Sequence, residues 1–285
     1  MNRLPFSGRP GLAQAPLLAP AAILWIVLFA LPLFSFLVFS FWSVRARIMR
    51  PDLTLQNYAA TIREYGDVLL ITLGMGLIIA LATTVLAFLF AYAIRFRAGR
   101  YGDMLLFITL IALFGGYLVK IYAWKSILGR DGIINGFLMW TGAIREPLDI
   151  LIYSHGAIVV TLTYFLLPFA ILPIYGSLRA IPDDLIEAAS DLGASSLQVS
   201  RDVVLPLCER GLGVAFLLSF LISVGDYVTP RFVGGGASMM GHFIETQFSF
   251  GFNWPKGSAM SFTLLAASLA LVILCRALLR RLLRA

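Results

Sequence analysis

Six long stretches of apolar residues divide the sequence, and shorter polar, mostly basic segments separate them. A transmembrane helix needs about 20 mostly apolar residues to cross about 30 Å of hydrocarbon. None of the stretches alternates with the two-residue period of a barrel strand. The pattern therefore predicts an all-α integral membrane bundle with six transmembrane helices, at about 17–42, 69–94, 104–124, 150–175, 212–233 and 259–279.

The composition agrees with a polytopic membrane protein. Apolar residues make up 60% of the 285 residues and charged residues 13%, with a mean hydropathy of +0.89. A soluble domain has about 25% charged residues, so a soluble fold and a disordered chain are both excluded. The net charge of +7 could indicate nucleic-acid binding. The basic residues are scattered between apolar stretches, however, and we expect them to flank a lipid bilayer, with no nucleic acid as a partner.

The basic residues also predict the orientation. An even number of spans puts both termini on one side, and the positive-inside rule counts short loops near span ends. Arginines in the loop 95–103 and near the C-terminus favour cytoplasmic termini. We therefore expect a cytoplasmic tail at 1–16, an extracytoplasmic loop at 43–68 and a basic cytoplasmic tail at 280–285. Ala13-Gln14-Ala15 resembles a signal-peptide cleavage site, but it precedes the apolar stretch, so the first span is expected to be retained.

Several spans contain residues that disturb a helix. Pro32 lies in the first span, and Pro168 and Pro173 lie in the fourth. Proline removes a backbone donor and kinks a helix, so interrupted spans are expected there. Gly115-Gly116 in the third span is expected to permit close contact between helices.

The loop between the fourth and fifth spans is polar and has its own helical pattern. Asp183 and Asp184 follow Pro182 and favour a helix start. Apolar residues then recur at three- and four-residue spacing until Gly193, which is expected to stop the helix. The residues of this predicted apolar face are Leu185, Ala188, Ala189 and Leu192. A second helix, capped by Ser195 or Ser196, is expected to end before Pro206.

This loop resembles the EAA loop of ABC-importer permeases. Glu187-Ala188-Ala189, three residues, Gly193, nine residues and Val203-Val204-Leu205-Pro206 follow the family pattern, with valine at 203 in place of isoleucine. The resemblance implies a coupling helix that docks into a groove of a separate ATP-binding subunit. It assigns this role to the loop 183–206, and within it to Asp184, Glu187, Ala188, Ala189, Gly193, Leu205 and Pro206.

Further segments resemble the first permease subunit of spermidine/putrescine-type transporters. They lie at 122–135, 167–175 and 225–235, within a predicted permease core at 69–279. The resemblance implies polyamine import across the bacterial inner membrane. Other small solutes, such as an opine, a phosphonate or a metal complex, stay open as substrates. A self-sufficient secondary transporter or channel is the alternative from another class.

The sequence contains no phosphate-binding loop and no cluster of His and Cys with metal-ligand spacing. His155 is expected in a span and His242 in a loop. We therefore expect no catalytic residue, cofactor or metal in this chain, and expect ATP and Mg²⁺ to bind on partner ATPase subunits. The resemblance implies three kinds of partner: a second, homologous permease that forms a heterodimer with this chain, two ATPase subunits, and an extracytoplasmic substrate-binding protein.

Acidic and aromatic residues in or near the outer loops are the candidates for a substrate pathway. A polycation needs carboxylates and ring faces along its route, and ionisable groups at membrane depth are costly unless they have a function. The candidates are Asp226, Tyr227, Glu245 and Trp254. Alternatively, Asp226 caps a helix or pairs with Arg231, and the aromatic residues form an interfacial belt. Lys120 either faces the lumen or extends its side chain to the interface.

Overall fold

The computed structural model describes residues 15–45, 48–235 and 239–282. Most of the predicted tail at 1–16 and residues 283–285 of the predicted basic tail lie outside these ranges. The described residues are mostly helical, which confirms the predicted all-α membrane fold. Four helices are long and apolar enough to cross a membrane, and two bent pairs of helices raise the number to six if each pair is one span.

The helices and the two strands follow one another in this order along the described chain. They are α1 (Ala15–Trp25), α2 (Leu31–Phe39), β1 (Ser43–Arg45), β2 (Ile48–Arg50), α3 (Gln56–Phe96), α4 (Gly102–Phe114), α5 (Tyr117–Leu128), α6 (Ile133–Trp140), α7 (His155–Arg179), α8 (Asp183–Asp191), α9 (Ser196–Gln198), α10 (Leu205–Leu207), α11 (Glu209–Gly225), α12 (Val228–Val233), α13 (Met240–Ser249) and α14 (Trp254–Leu282). Short 3₁₀ turns lie at Gly99–Tyr101 and Asp149–Leu151, and π-helical turns at Ile26–Ala30 and Val199–Val204.

The contacts divide the chain into two compact units. The first runs to Glu64 and includes Gln247–Thr263; the second comprises Tyr65–Thr246 and the chain from Leu264 onward. In the first unit, β1 and β2 form an antiparallel hairpin in which Val44 lies opposite Met49. The Asn57 side-chain amide donates to the carbonyl oxygens of Ser40 (3.1 Å) and Trp42 (2.7 Å), which satisfies backbone acceptors just after α2.

The second unit is built around α7, which packs along α11. Gly211 on α11 makes this close approach possible, because a Cβ there would lie 2.6 Å from the Pro173 carbonyl oxygen. Two buried apolar clusters surround α7, one centred on Ile158 and Leu162 and the other on Ile171 and Ile174. This unit therefore holds its helices by close backbone contact as well as by side-chain packing.

The third predicted span, 104–124, is not continuous, which corrects the expectation for Gly115-Gly116. Both glycines are extended (ψ of 131° and 132°), and the helices on either side of them are bent by 98°. The two glycines thus end one helix and precede the next, instead of serving only as a contact surface within one helix. Glycine suits this break because it has little preference for helical angles and a high conformational freedom.

The fifth predicted span, 212–233, is divided as well. Helix α11 ends at Gly225, and α12 begins at Val228 after a break at Asp226 and Tyr227. The predicted site residue Asp226 therefore lies between two helices and not near the end of a single long one.

Two π-helical turns precede prolines, and they explain why these prolines do not end their helices. Leu31 donates to the Ile26 carbonyl and Leu205 donates to the Ser200 carbonyl, five residues back in each case, immediately before Pro32 and Pro206. The wider turn accommodates the residue that lacks an N–H. The expectation that the second loop helix ends before Pro206 is therefore wrong: helical structure continues to Leu207.

Pro168 and Pro173 do not interrupt the fourth span, contrary to expectation. Both lie inside α7, which runs as one helix over 25 residues. Eleven of its residues are buried in the second unit, so tertiary packing outweighs the loss of backbone hydrogen bonds.

The structure gives Lys120 two partners that neither of the alternatives considered above included. Its ammonium group donates to the Ala112 carbonyl oxygen at 2.6 Å, back across the glycine break, and lies 5.2 Å from the centre of the Phe165 ring. The last carbonyls of α4 have no partner within the helix and carry partial negative charge. Lys120 therefore caps α4 from the beginning of α5.

We expect Lys120→Met to destabilise this break, because the apolar side chain cannot donate to Ala112. The Ala112 carbonyl oxygen would keep only the long bond from the Gly115 backbone (3.4 Å). Loss of a hydrogen bond from a charged donor costs about 1.5–3 kcal/mol, which corresponds to a fall of a few degrees in the Tm of the purified protein. Lys125→Met is the matched control, since Lys125 lies on the same helix over the Tyr153 ring at 6.0 Å. Equal melting temperatures for both variants would show that Lys120 does not stabilise the break.

Candidate functional site

The predicted coupling loop, 183–206, is tied to the membrane helices through an ion pair and a buried cluster. Arg95 in the last turn of α3 donates to an oxygen of Asp183 in the first turn of α8, at 2.5 Å. Both charges are also favoured by the dipoles of their own helices. The cluster includes Val199 and Val204, which are buried, and Ile186, which packs against them. The loop is therefore positioned by α3 and α7 and is not a free connector.

The turn inside this loop has the backbone structure that its sequence predicts. Gly193 has a φ of +87°, Ala194 donates to the Ala189 carbonyl (3.1 Å) and Gly193 donates to the Ser190 carbonyl (2.9 Å). These bonds form a Schellman motif, which requires a left-handed residue and favours glycine. Gly193 thus ends α8, as predicted.

The next helix begins with a capping box. The Ser195 hydroxyl accepts from the backbone of Gln198 (3.4 Å), and the Gln198 side chain accepts from the backbone of Ser195 (2.7 Å). Of the two predicted caps, the structure selects Ser195. The helix then continues to Leu207, where the chain bends by 70° into α11.

The predicted apolar face of α8 is divided between two directions. Ala189 packs against the buried cluster beneath the loop. Leu185 and Leu192, by contrast, are 46% and 90% exposed, and Leu197 in the next helix is 78% exposed. Exposed leucines on an otherwise polar loop are typical of a surface that binds another molecule. We call Leu185, Ala188, Leu192 and Leu197 the leucine edge.

Among the predicted coupling residues, Glu187 and Ala188 are exposed and Ala189 is partly buried. Asp184, Gly193, Leu205 and Pro206 are exposed as well. The loop therefore presents most of these residues to its surroundings, with Ala189 as the contact to the bundle.

Both carboxylate oxygens of Asp226 accept hydrogen bonds from neighbouring residues. Its Oδ1 accepts from the Tyr117 hydroxyl (2.6 Å) and the Val228 backbone (3.2 Å), and its Oδ2 accepts from the Thr229 backbone (3.1 Å). The Tyr117 hydroxyl is also 2.7 Å from the Thr229 hydroxyl oxygen. These contacts favour the helix-capping alternative for Asp226, and they join the break after α11 to the first residue of α5.

The other pathway candidates lie in different surroundings. Tyr227 is 43% exposed beside Asp226. Glu245 lies on α13 and pairs with Arg231 on α12 (3.3 Å). Arg231 is the arginine that the sequence analysis gave as an alternative partner for Asp226. Trp254 belongs to the first unit, where its ring stacks on Phe36 with centroids 6.0 Å apart. Asp226 and Tyr227 are brought together by adjacency in sequence, and Trp254 belongs to an aromatic cluster.

Two residues that bond to Asp226 were not predicted from the sequence, and one histidine was predicted in the wrong kind of segment. Tyr117 and Thr229 complete the Asp226 network, and a tyrosine directly after the glycine pair was a usable signal once a helix break is assumed there. His242, expected in a loop, lies in the first turns of α13. The segment after the Gly234-Gly235-Gly236 run is short, and its helical period was too brief to detect.

We expect Tyr117→Phe to weaken the junction between α5 and α12. The change removes the hydroxyl that Asp226 and Thr229 share. Asp226 Oδ1 then keeps only the longer bond from the Val228 backbone (3.2 Å), and loss of a hydrogen bond to a charged group costs about 1.5–3 kcal/mol. The measurement is the Tm of the purified protein. Tyr122→Phe is the control, because Tyr122 is 51% exposed and contacts Phe232 through its ring. A Tm that falls equally for both variants would contradict a specific role for the shared hydroxyl.

Comparisons with known proteins identify the family. Residues 103–285 match the family described as "Binding-protein-dependent transport system inner membrane component". The chain is 34% identical over 258 residues to the spermidine/putrescine transport system permease protein PotB of Escherichia coli K12, covering 89% of this chain and 94% of PotB. It is 31% identical over 225 residues to the inner membrane ABC transporter permease protein YdcU of the same organism, covering 74% of this chain and 71% of YdcU.

A solved structure shows the same fold at low identity. A chain of a bacterial alginate ABC transporter, in complex with an alginate-bound periplasmic protein, superposes with a TM-score of 0.73 at 15% identity, covering 94% of this chain and 93% of that chain. The named relatives are permease proteins. The matches and the apolar helices together place this chain in the plasma membrane as a multi-pass protein. The chain belongs to the family of inner membrane components of binding-protein-dependent transport systems, the permease subunits of ABC importers.

Proposed function

We propose that this chain forms one half of a polyamine importer. A second, homologous permease would complete the pathway, and two ABC ATPase subunits would bind on the cytoplasmic side, one of them at the loop 183–206. An extracytoplasmic binding protein would deliver putrescine or spermidine, which crosses unchanged. The observation that carries the polyamine assignment is the 34% identity to a spermidine/putrescine permease over 89% of this chain.

The coupling role is supported by the geometry of the loop. A segment that transmits force must be held rigidly against its own bundle and must expose a surface to its partner. The ion pair between Arg95 and Asp183 and the buried Val199 and Val204 provide the rigid side. The leucine edge provides the exposed side. ATP hydrolysis in this proposal takes place on the docked subunit, and this chain contributes no catalytic residue.

The proposal includes the predicted orientation, with the termini and the loop 183–206 in the cytoplasm. The positively charged loop 95–103 follows α3, and Arg95 at its start contacts α8. The two segments therefore lie on one side of the membrane. Labelling of a cysteine introduced at Ser190 from the inside only, in sealed cells, would support this orientation; labelling from the outside would contradict it.

Transport by the intact complex tests the function. The complex is purified from its native membrane through a tag on this chain, reconstituted in liposomes, and supplied with ATP inside and the co-purified binding protein outside. We expect ATP-dependent uptake of labelled putrescine or spermidine, and no uptake of an opine or a phosphonate. Uptake of only the latter would assign another solute. Gradient-driven uptake by this chain alone would instead favour a secondary transporter.

A further inference from the structure

Only one of the two oxygens of the Glu245 carboxylate, on α13, has a hydrogen-bond partner among the described residues. Arg231 Nη1 donates to Glu245 Oε1 at 3.3 Å. The Glu245 side chain is 14% exposed, whereas the Arg231 side chain is 47% exposed. Glu245 Oε2 is buried and has no hydrogen-bond partner among the described residues. The anion is therefore enclosed, and its cationic partner lies at the surface.

The geometry of this pair is weak for a buried ion pair. Arginine and carboxylate groups often bind through two parallel hydrogen bonds of about 2.7–2.9 Å. Here one longer contact is made, and the second carboxylate oxygen is left without a donor. A buried acceptor without a partner is unfavourable, so a further cationic donor at Glu245 Oε2 would stabilise the carboxylate.

A second unpaired acceptor lies one turn away. His242 Nδ1 is buried without a hydrogen-bond partner among the described residues. His242 and Glu245 are three residues apart on α13, so they share one face of the helix. A primary ammonium group carries three N–H donors and one positive charge, which suits an anionic oxygen and a neighbouring ring nitrogen. The guanidinium group of Arg231 on α12 donates only to Glu245 Oε1, and it leaves Glu245 Oε2 and His242 Nδ1 without a donor.

The helix that carries both groups is fixed in place. The Met240 backbone donates to the Thr72 hydroxyl at 2.8 Å, and the Phe243 ring lies 5.1 Å from the Tyr65 ring on α3. Gly241 packs closely against the segment between α11 and α12, and a Cβ at this position would lie 2.7 Å from the Asp226 carbonyl oxygen. Because α13 is held on these sides and the Arg231 side chain is 47% exposed, we expect Glu245 to keep its position if Arg231 moves away.

We propose that Glu245 binds an ammonium group of the substrate, and that Arg231 occupies the carboxylate until the substrate displaces it. The exchange keeps the enclosed carboxylate paired with a cation throughout, which avoids a bare buried charge. Asp226 does not serve this purpose, since its oxygens are already taken by Tyr117 and two backbone donors. The inference rests on the proposed function, because it requires a cationic substrate.

Opposite effects of two substitutions test the proposal. Binding of labelled spermidine to the intact complex in nanodiscs, without the binding protein, is measured for Glu245→Gln and Arg231→Gln. We expect Glu245→Gln to weaken binding about tenfold or more, since it removes the charge. We expect Arg231→Gln to strengthen binding several-fold and to slow release, since it removes the competing cation. Glu146→Gln and Arg145→Gln, at exposed positions, are the matched controls and should leave binding unchanged.

Other outcomes separate the two levels of the argument. If the wild-type complex transports no polyamine, the proposed function fails. If it transports polyamine but both variants weaken spermidine binding, or Glu245→Gln leaves it unchanged, the function stands and this inference is overturned. If both single variants fail to assemble and the double variant Arg231→Gln/Glu245→Gln assembles, the pair is purely structural, which also overturns it. Arg231→Lys, which keeps the competing charge, should bind spermidine like the wild type.

Discussion

Ala188→Glu is expected to abolish ATP-driven uptake and to release the ATPase subunit from the complex. Ala188 lies on the leucine edge, where its small side chain permits close approach of a partner. Burying a carboxylate without a cation costs several kcal/mol, and a cost of about 3 kcal/mol weakens docking about 100-fold. The measurements are the amount of ATPase that co-purifies with this chain and the rate of uptake in liposomes.

Ser190→Glu is the control for this change. Residues two apart on a helix lie about 160° apart around its axis, so Ser190 lies on the other flank of α8, away from the leucine edge. The same charge at this position should leave docking and uptake close to those of the wild type. Normal uptake by the Ala188 variant, or equal loss in both variants, would refute the assignment of the docking surface.

Gly211→Ala is expected to separate α7 from α11 and to impair both stability and transport. The added methyl group would lie 2.6 Å from the Pro173 carbonyl oxygen and 2.5 Å from the Ser177 hydroxyl oxygen. Backbone must move to relieve this overlap, at a cost of about 1–3 kcal/mol. Because α11 begins just after the proposed coupling loop, the displacement should also reduce uptake. Both the Tm and the uptake rate of the purified complex report the effect.

Gly213→Ala provides the comparison on the same helix. No atom outside the local backbone lies within 4 Å of a Cβ at this position. Alanine also favours helix over glycine by about 1 kcal/mol, so the Tm should stay the same or rise slightly. A Gly211 variant as stable and active as this control would show that close contact at Pro173 is not required.

The helical class of the fold could be predicted because apolar length is a strong signal, but the breaks in the helices could not. A hydropathy window averages over Gly115-Gly116 and over Gly225-Asp226. It therefore reports the two helices that flank each break as one continuous span. Glycine is also common inside intact membrane helices. Conversely, Pro168 and Pro173 suggested interruptions that α7 does not have, since packing on both sides stabilises it.

The structure of the loop 183–206 could be predicted in more detail than the surroundings of the pathway candidates because its signals are local. Gly193 and Ser195 act through the backbone of their immediate neighbours, and the structure places both as the sequence suggests. Pro206 depends on a π-helical turn that compensates for it, which no residue preference indicates. Asp226 bonds to Tyr117, which is 109 residues away, and Glu245 pairs with Arg231 on a different helix. Sequence spacing therefore could not show which oxygens of these two carboxylates have partners.

The bond from Lys120 to Ala112 has a consequence for attempts to improve this protein. An engineer who replaced polar side chains at membrane depth with leucine, to raise expression or solubility in detergent, would select Lys120 first. Yet this cation supplies the shorter of the two hydrogen bonds that the Ala112 carbonyl oxygen accepts at the end of α4. A substitution chosen to make the protein more compatible with lipid would thus remove a hydrogen bond that stabilises the 98° bend between α4 and α5.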